Sequence, residues 1–261
     1  MAFESGLEIK EQVRLAPFTS WQVGGEAEFF CTPESLEQVK DAIQYSKEKN
    51  LPLTILGSGT NALISDEGIK GLTLCAKKLK SVESNLTDSR FEIIAESGVL
   101  KTELLKLFLK HQLAPAIFLA GVPGDVGGGV VMNAGVGEMI QPREFVEIVD
   151  WIEVLSFRNE EFLQIKRYDK DQLQWSYRHC RAWEPGFIYR AQISWPREHN
   201  PEIVKQVREA NQVRLKKQPL DMPSCGSVFV NPEGHKSGQL IDSCGLRGFS
   251  IGGAPGSDCV T

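Results

Sequence analysis

Residues 35–50 (SLEQVKDAIQYSKEKN) place Leu36, Val39, Ile43 and Ser46 on one face at helical spacing, with Ser35 or Pro33 at the start. That pattern predicts an amphipathic helix. LPLTILG (51–57) is a short apolar run that ends in glycine, and GLTLCA (71–76) and FEIIAESG (91–98) are similar; all three predict strands. KTELLKLFLKHQ (101–112), with leucines at 104, 105, 107 and 109, predicts a second helix. VEIVDWIEVLSF (146–157) alternates well enough for a long strand, and FIYRAQISW (187–195) for another. PEIVKQVREANQVRLKKQ (201–218) is a polar amphipathic helix that Pro219 ends. Strands and helices alternate early, strands dominate the middle, and one helix leads into a glycine-rich tail. The expected class is α+β rather than a single doubly wound sheet, with a domain boundary at PREHNP (196–201).

Composition narrows this only modestly. The chain has 261 residues, 41% hydrophobic and 24% charged, which are globular values. Its formal net charge of −5 argues against a nucleic acid as partner, although local basic patches remain compatible with it. No run approaches the roughly 18 apolar residues of a membrane span. The N-terminal MAFESGLEIKEQ lacks the basic-then-apolar pattern of a signal peptide. A cytoplasmic protein is the expectation. The six cysteines form no CxxC pair and the four histidines do not cluster with them, so neither a metal site nor a disulfide is expected.

Glycine is the informative residue. There are 24, gathered at 57–59, 121–137 and 245–256. In ILGSGTNALIS (55–65) a strand runs into Gly57, Ser58, Gly59, Thr60 and Asn61. Such a stretch leaves peptide N–H groups bare beside side-chain donors, which is the chemistry of an anion nest. It is neither GxxxxGK[ST] nor GxGxxG, since Ala62 holds the third glycine site, and alone it also reads as a tight turn. AGVPGDVGGGVVMNAGVGEM (120–139) is stronger. Its glycines are interleaved with Val, Met and Ala, and its charges are confined to Asp125 and Glu138, so it is a packed backbone-rich segment and not a linker. Buried backbone needs partners. Two such loops about 65 residues apart suggest one extended dinucleotide held from both sides.

Several segments together resemble the UDP-N-acetylenolpyruvoylglucosamine reductase family. They are APFTSWQVGGEAEFF (16–30), ILGSGTNALIS, GVPGDVGGGVVMNAG (121–135), the Tyr177–Arg178 pair, QPLDMPSCGSVFVNP (218–232) and GLRGFSIGGA (245–254). The resemblance implies a vanillyl-alcohol-oxidase-type FAD fold over residues 1–197, in lobes of about 16–76 and 77–197, and a small substrate domain over 198–261. It implies bound FAD, NADPH as reductant, and a UDP-sugar enolpyruvyl ether as substrate, in a monomer with no nucleic-acid or membrane partner. The implied cofactor-binding residues are Gly57, Ser58, Gly59, Thr60, Asn61, Gly121, Gly124, Gly127, Gly128, Asn133, Ala134 and Gly135. The implied catalytic residues are Arg178, which steadies an enolate, and Ser227, which donates a proton. Tyr177, Lys217 and Asn231 are implied substrate contacts, and Arg208, Arg214, Lys216 and Lys217 form the densest basic region ahead of the catalytic turn. Cys225, two residues from Ser227, is expected as its neighbour.

The chain departs from that pattern in three places. Val230 stands where the family usually has lysine, and His179-Cys180-Arg181 replaces the usual serine and apolar residue. The family also continues for several tens of residues past the IGGA motif, into a glutamate that assists Arg178. The expectation from that departure is a C-terminally incomplete reading, with FAD binding intact and turnover impaired unless another acid substitutes. A flavin-binding relative without catalysis is therefore the competing reading. An alcohol oxidase of the same fold is a third, and the absence of histidine from both glycine loops argues against it.

Overall fold

The computed structural model describes residues 3–136, 141–217, 223–251 and 254–255, with the side chains at 213, 216, 217, 254 and 255 outside the description. Two sheets form the body. The first has strands β1 (Lys10–Arg14), β2 (Glu26–Cys31), β3 (Leu53–Leu56) and β4 (Ile69–Cys75) in the order β1-β2-β4-β3. β4 runs parallel to both β2 and β3, and β1 is antiparallel to β2. Helix α1 (Leu36–Glu48) connects β2 to β3 and lays Val39, Ala42 and Ile43 onto the sheet beside Leu72 and Leu74. Ser35 caps it, accepting from the Gln38 amide at 3.3 Å.

The second sheet is antiparallel, in the order β5-β6-β11-β7-β8, from β5 (Val82–Leu86), β6 (Arg90–Glu96), β7 (Val149–Ser156), β8 (Ile165–Asp169) and β11 (Gly186–Pro196). A small hairpin, β9 (Gln174–Ser176) and β10 (His179–Arg181), precedes β11. Helices α2 (Lys101–Lys110), α3 (Pro115–Ala120) and α4 (Val126–Val131) cover one face, and Leu104, Phe108, Phe118 and Val130 join Ile93, Ile152 and Ala191 in the larger core. The two sheets are not independent: Leu155 and Phe187 of the second pack into the cluster built by α1 and β4. Helix α5 (Ile203–Lys217) follows, with Ile203 and Val207 buried in the second lobe's core. Beyond it lie α6 (Ser237–Ser243) and a two-residue ladder, β12 (Ser250–Ile251) with β13 (Ala254–Pro255). Among the described residues no helix is long and apolar enough to cross a membrane.

The glycine-rich segment departs from a plain loop, because its centre is helix α4. Three of its six residues are glycine, which local propensity disfavours by about 1 kcal/mol each. Two contacts explain it. Asp125 caps the helix by accepting from the Gly128 amide at 2.7 Å. Close packing also leaves no room for side chains: a Cβ on Gly129 would lie 2.6 Å from Cε1 of the buried Phe145 ring, and one on Gly127 would lie 2.9 Å from Ser97 Cβ. Gly129→Ala is therefore expected to destabilise the protein by ~1–3 kcal/mol, as overpacking outweighs the gain in helix propensity. Denaturant unfolding of the two proteins would check it, and an unchanged midpoint would contradict this account of α4.

Candidate active site

A cavity of about 1010 Å³ opens between the lobes. That is the upper end of the usual range of about 300–1,000 Å³ for ligand sites. Its wall is backbone-rich. The first glycine loop leaves β3 and turns at Gly59, whose φ is +69°. A Cβ there would lie 2.9 Å from Thr19 Cα, and Ser20 N–H donates to Gly59 O at 3.0 Å. The loop is thus pressed onto the chain before β2, and only glycine fits. The second glycine segment faces it, pinned to 97–101 by Gly127 N–H to Ser97 O (2.8 Å), Val126 N–H to Val99 O (2.9 Å) and Lys101 N–H to Gly124 O (3.0 Å). Asp125 joins the two loops, because its Oδ2 accepts from the Ser58 amide while Oδ1 caps α4.

The polar groups converge at one point. A Cβ built on Gly124 (φ +105°) would sit 2.9 Å from Thr60 Oγ1, 3.3 Å from Lys101 Nζ and 3.4 Å from Ser58 Oγ. Two hydroxyls and an ammonium surround a space that glycine keeps clear, which suits an anion. Lys101, Arg178 and Arg214 are the cations among the described lining residues, and Asp125 is the one carboxylate, so the cavity is electropositive inside an acidic protein. Burial pushes the Lys101 ammonium down to about 8, with Asp125 pulling the other way. Burial also lowers the Arg214 pKa, and its guanidinium donates to Ala120 O at the end of α3 at 3.3 Å. Elsewhere Val131, Met132, Trp183, Phe187 and Ile188 supply an apolar wall. The Ser97 hydroxyl is buried in that wall with no partner among the described residues. Bare peptide, an anion cradle, an apolar wall and an orphaned hydroxyl together fit a flavin dinucleotide.

Most residues expected at the site meet here. Gly57 to Asn61, Gly121, Gly124, Gly127, Gly128, Ala134 and Gly135 all line the cavity, as do Arg178 and Ser227. Cys225 is there beside Ser227, at a turn where Gly226 has φ +77°. Arg178 occupies the tip of the β9–β10 hairpin at φ +56°. Its Nη2 donates to Gly135 O at 3.0 Å, and Nη1 lies 3.8 Å from Glu144 Oε1. Asn133 does not line the cavity. Its Nδ2 donates to Glu144 Oε2 (3.0 Å) and Ser176 O (3.1 Å), and its Oδ1 accepts from Val146 N–H (3.0 Å). The buried amide is spent tying the glycine segment to the hairpin that carries Arg178. Tyr177 and Asn231 also lie off the cavity wall, where Asn231 Nδ2 donates to the Tyr177 hydroxyl at 3.2 Å. Of the expected basic region, Arg214 lines the cavity and Arg208 is exposed outside it, while the Lys216 and Lys217 side chains lie outside the described residues.

Lys101 and Asp125 are the charged lining residues, beyond the arginines, that sequence reasoning missed, together with uncharged ones such as Ser97 and Trp183. Asp125 was visible only as one of two charges in the glycine run, and Lys101 as a polar residue opening a helix.

The comparisons with known proteins agree with this geometry. Residues 27–165 match an FAD-binding domain family. The cholesterol oxidase of B. sterolicum superposes with a TM-score of 0.55 over 74% of this chain and 38% of that one, at 13% identity, which shows the fold alone. The fold is the vanillyl-alcohol-oxidase type of FAD-binding oxidoreductase. Residues 218–259 match the C-terminal domain of UDP-N-acetylenolpyruvoylglucosamine reductase. The chain is 37% identical over 257 residues to the Lactobacillus acidophilus protein of that name, covering 97% of this chain and 82% of the relative. It is 38% identical over 241 residues to the Caldanaerobacter subterraneus one, covering 92% and 76%. The crystal structure of the Thermus caldophilus reductase superposes with a TM-score of 0.77 at 28% identity, over 96% of this chain and 87% of that one. The chain belongs to the UDP-N-acetylenolpyruvoylglucosamine reductase family.

Proposed function

We propose that this chain reduces the enolpyruvyl double bond of UDP-N-acetylglucosamine enolpyruvate to UDP-N-acetylmuramate, using NADPH, as a monomer in the cytoplasm that serves cell-wall precursor synthesis. The carrying observation is that Arg178 and Ser227 line the same cavity as both glycine loops. FAD, when bound, supplies hydride transfer from NADPH to the methylene carbon. The chain's own residues handle charge and the proton. Arg178 is permanently cationic and braced by Gly135 O, so it meets the negative charge that develops on the substrate carboxylate. Ser227 delivers the proton to the second carbon, where a strongly basic acceptor lets a weak hydroxyl acid serve. Arg214, which lines the cavity, binds the substrate's diphosphate, with Lys217 a further contact that the family resemblance implies, and Tyr177 with Asn231 meets its outer edge. The division into a flavin domain over 1–197 and a substrate unit over 198–261 is part of this proposal, with α5 leading from the flavin lobe's core to the cavity.

The purified protein is expected to be yellow and to oxidise NADPH only when the enolpyruvyl substrate is present. Yellow protein without turnover would instead favour a flavin-binding relative that lacks catalysis. Arg178→Met is expected to retain FAD and its reduction by NADPH, while substrate turnover falls by roughly 10²–10³. Arg178→Lys should restore little, because the lysine cannot form the same fork. Stopped-flow comparison of the two half-reactions would check this, and equal slowing of both would remove Arg178 from the role.

A further inference from the structure

Lys101 lies where the hydrophobic pattern would put it outside. Leu100 and Lys101 are adjacent, yet Leu100 is 43% exposed and Lys101 only 3%. The ammonium lies 5.2 Å from the centroid of the Phe145 ring and donates to Pro123 O at 2.7 Å. Among the described residues it joins no ion pair, and Asp125, which acts on it through space, has both oxygens engaged by the amides of Ser58 and Gly128. A buried ammonium has three donors, and one carbonyl does not compensate for its lost water. The remaining neighbours mark an anion: the point 3.3 Å from Nζ that Gly124 keeps clear is also within 3.4 Å of the Ser58 and Thr60 hydroxyls.

We propose that Lys101 is the cation that holds the cofactor's diphosphate, closing a cradle with Ser58 and Thr60, while Asp125 holds the cradle's two loops at the right separation. This rests on the flavin-binding reading of the cavity. The lowered pKa of Lys101 agrees with it, since a diphosphate beside the ammonium would repay the desolvation that burial imposes. Glycine motifs alone would grip the cofactor through peptide dipoles. Here a full charge, supplied by a helix outside both motifs, completes the grip. The same chemistry would suit the diphosphate of the nucleotide sugar, so the test must separate the two.

Apoprotein stripped of flavin is titrated with FAD and with riboflavin, which lacks phosphate, and flavin-loaded protein is titrated with UDP-N-acetylglucosamine. Lys101→Met is expected to weaken FAD binding by roughly ten- to a hundredfold, the worth of one charge-assisted contact. Riboflavin and UDP-N-acetylglucosamine affinities should stay within about threefold, inside the context-dependence of such contacts. The apoprotein should melt no lower than wild type, because the variant removes an unpaired buried charge. Lys101→Gln, polar but neutral, should reproduce the FAD defect if the Met variant folds poorly. Unchanged FAD affinity, a parallel loss of riboflavin binding, or a loss confined to UDP-N-acetylglucosamine would each overturn the assignment. Wild-type apoprotein that binds neither flavin would overturn the flavin reading itself, independently of any variant.

Discussion

Ser227→Ala is expected to lower substrate reduction by roughly 10²–10⁴, while the protein stays yellow and still accepts hydride from NADPH. The size follows from the chemistry. Adding hydride to an electron-poor double bond leaves a carbon that must be protonated, and Ser227 is a hydroxyl donor that lines the cavity where the reaction is proposed to occur. A hydroxyl there works because its acceptor is far more basic than water and because Arg178 and Arg214, which line the same cavity, favour a transient alkoxide. The folded state does not depend on it, since residue 227 is exposed to the cavity and not part of a core cluster. Single-turnover mixing of NADPH-reduced protein with substrate would isolate the affected step. Wild-type steady-state turnover in the alanine variant would take Ser227 out of the proton path, whatever the rate of flavin reoxidation.

Gly124→Ala is expected to give a folded but largely colourless protein, with FAD affinity reduced by more than about a hundredfold. Two effects add. The methyl carbon would occupy the point between Thr60 Oγ1, Lys101 Nζ and Ser58 Oγ, where the diphosphate is proposed to lie. The backbone there has φ +105°, which costs a side-chain-bearing residue ~1–3 kcal/mol. The strain falls on stability, the blockage on binding, so calorimetric unfolding and flavin titration separate them. An apoprotein that melts lower but binds FAD normally would place the diphosphate elsewhere.

Much of the scaffold was legible. The 3.6-residue spacing of Leu36, Val39 and Ile43 after Ser35 was enough for α1, and the apolar run Leu72–Cys75 for β4. The glycine clusters at 57–59 and 121–135, with Arg178 and Ser227, pointed to residues that do share one cavity. Other features were hidden. β9 and β10 are three residues each, and no periodicity can be read from three positions. Asn133 sits inside the glycine motif and looks like a cofactor contact, yet its amide is consumed by Glu144, Ser176 and Val146. Helix α4 runs against the propensity of its own residues, because Phe145 and Ser97 demand glycine at that separation.

Local spacing therefore settles where the longer helices and strands form and where glycine leaves backbone bare, since these depend on neighbours a few residues away. Which charges face the cavity is another matter. Lys101 is buried and Leu100 exposed because β6 delivers the chain to the second glycine segment with that side turned inward, and Asp125 meets Ser58 across 67 residues of sequence. The first arises from packing within the second lobe and the second from the docking of two lobes, and no periodicity in either segment encodes them.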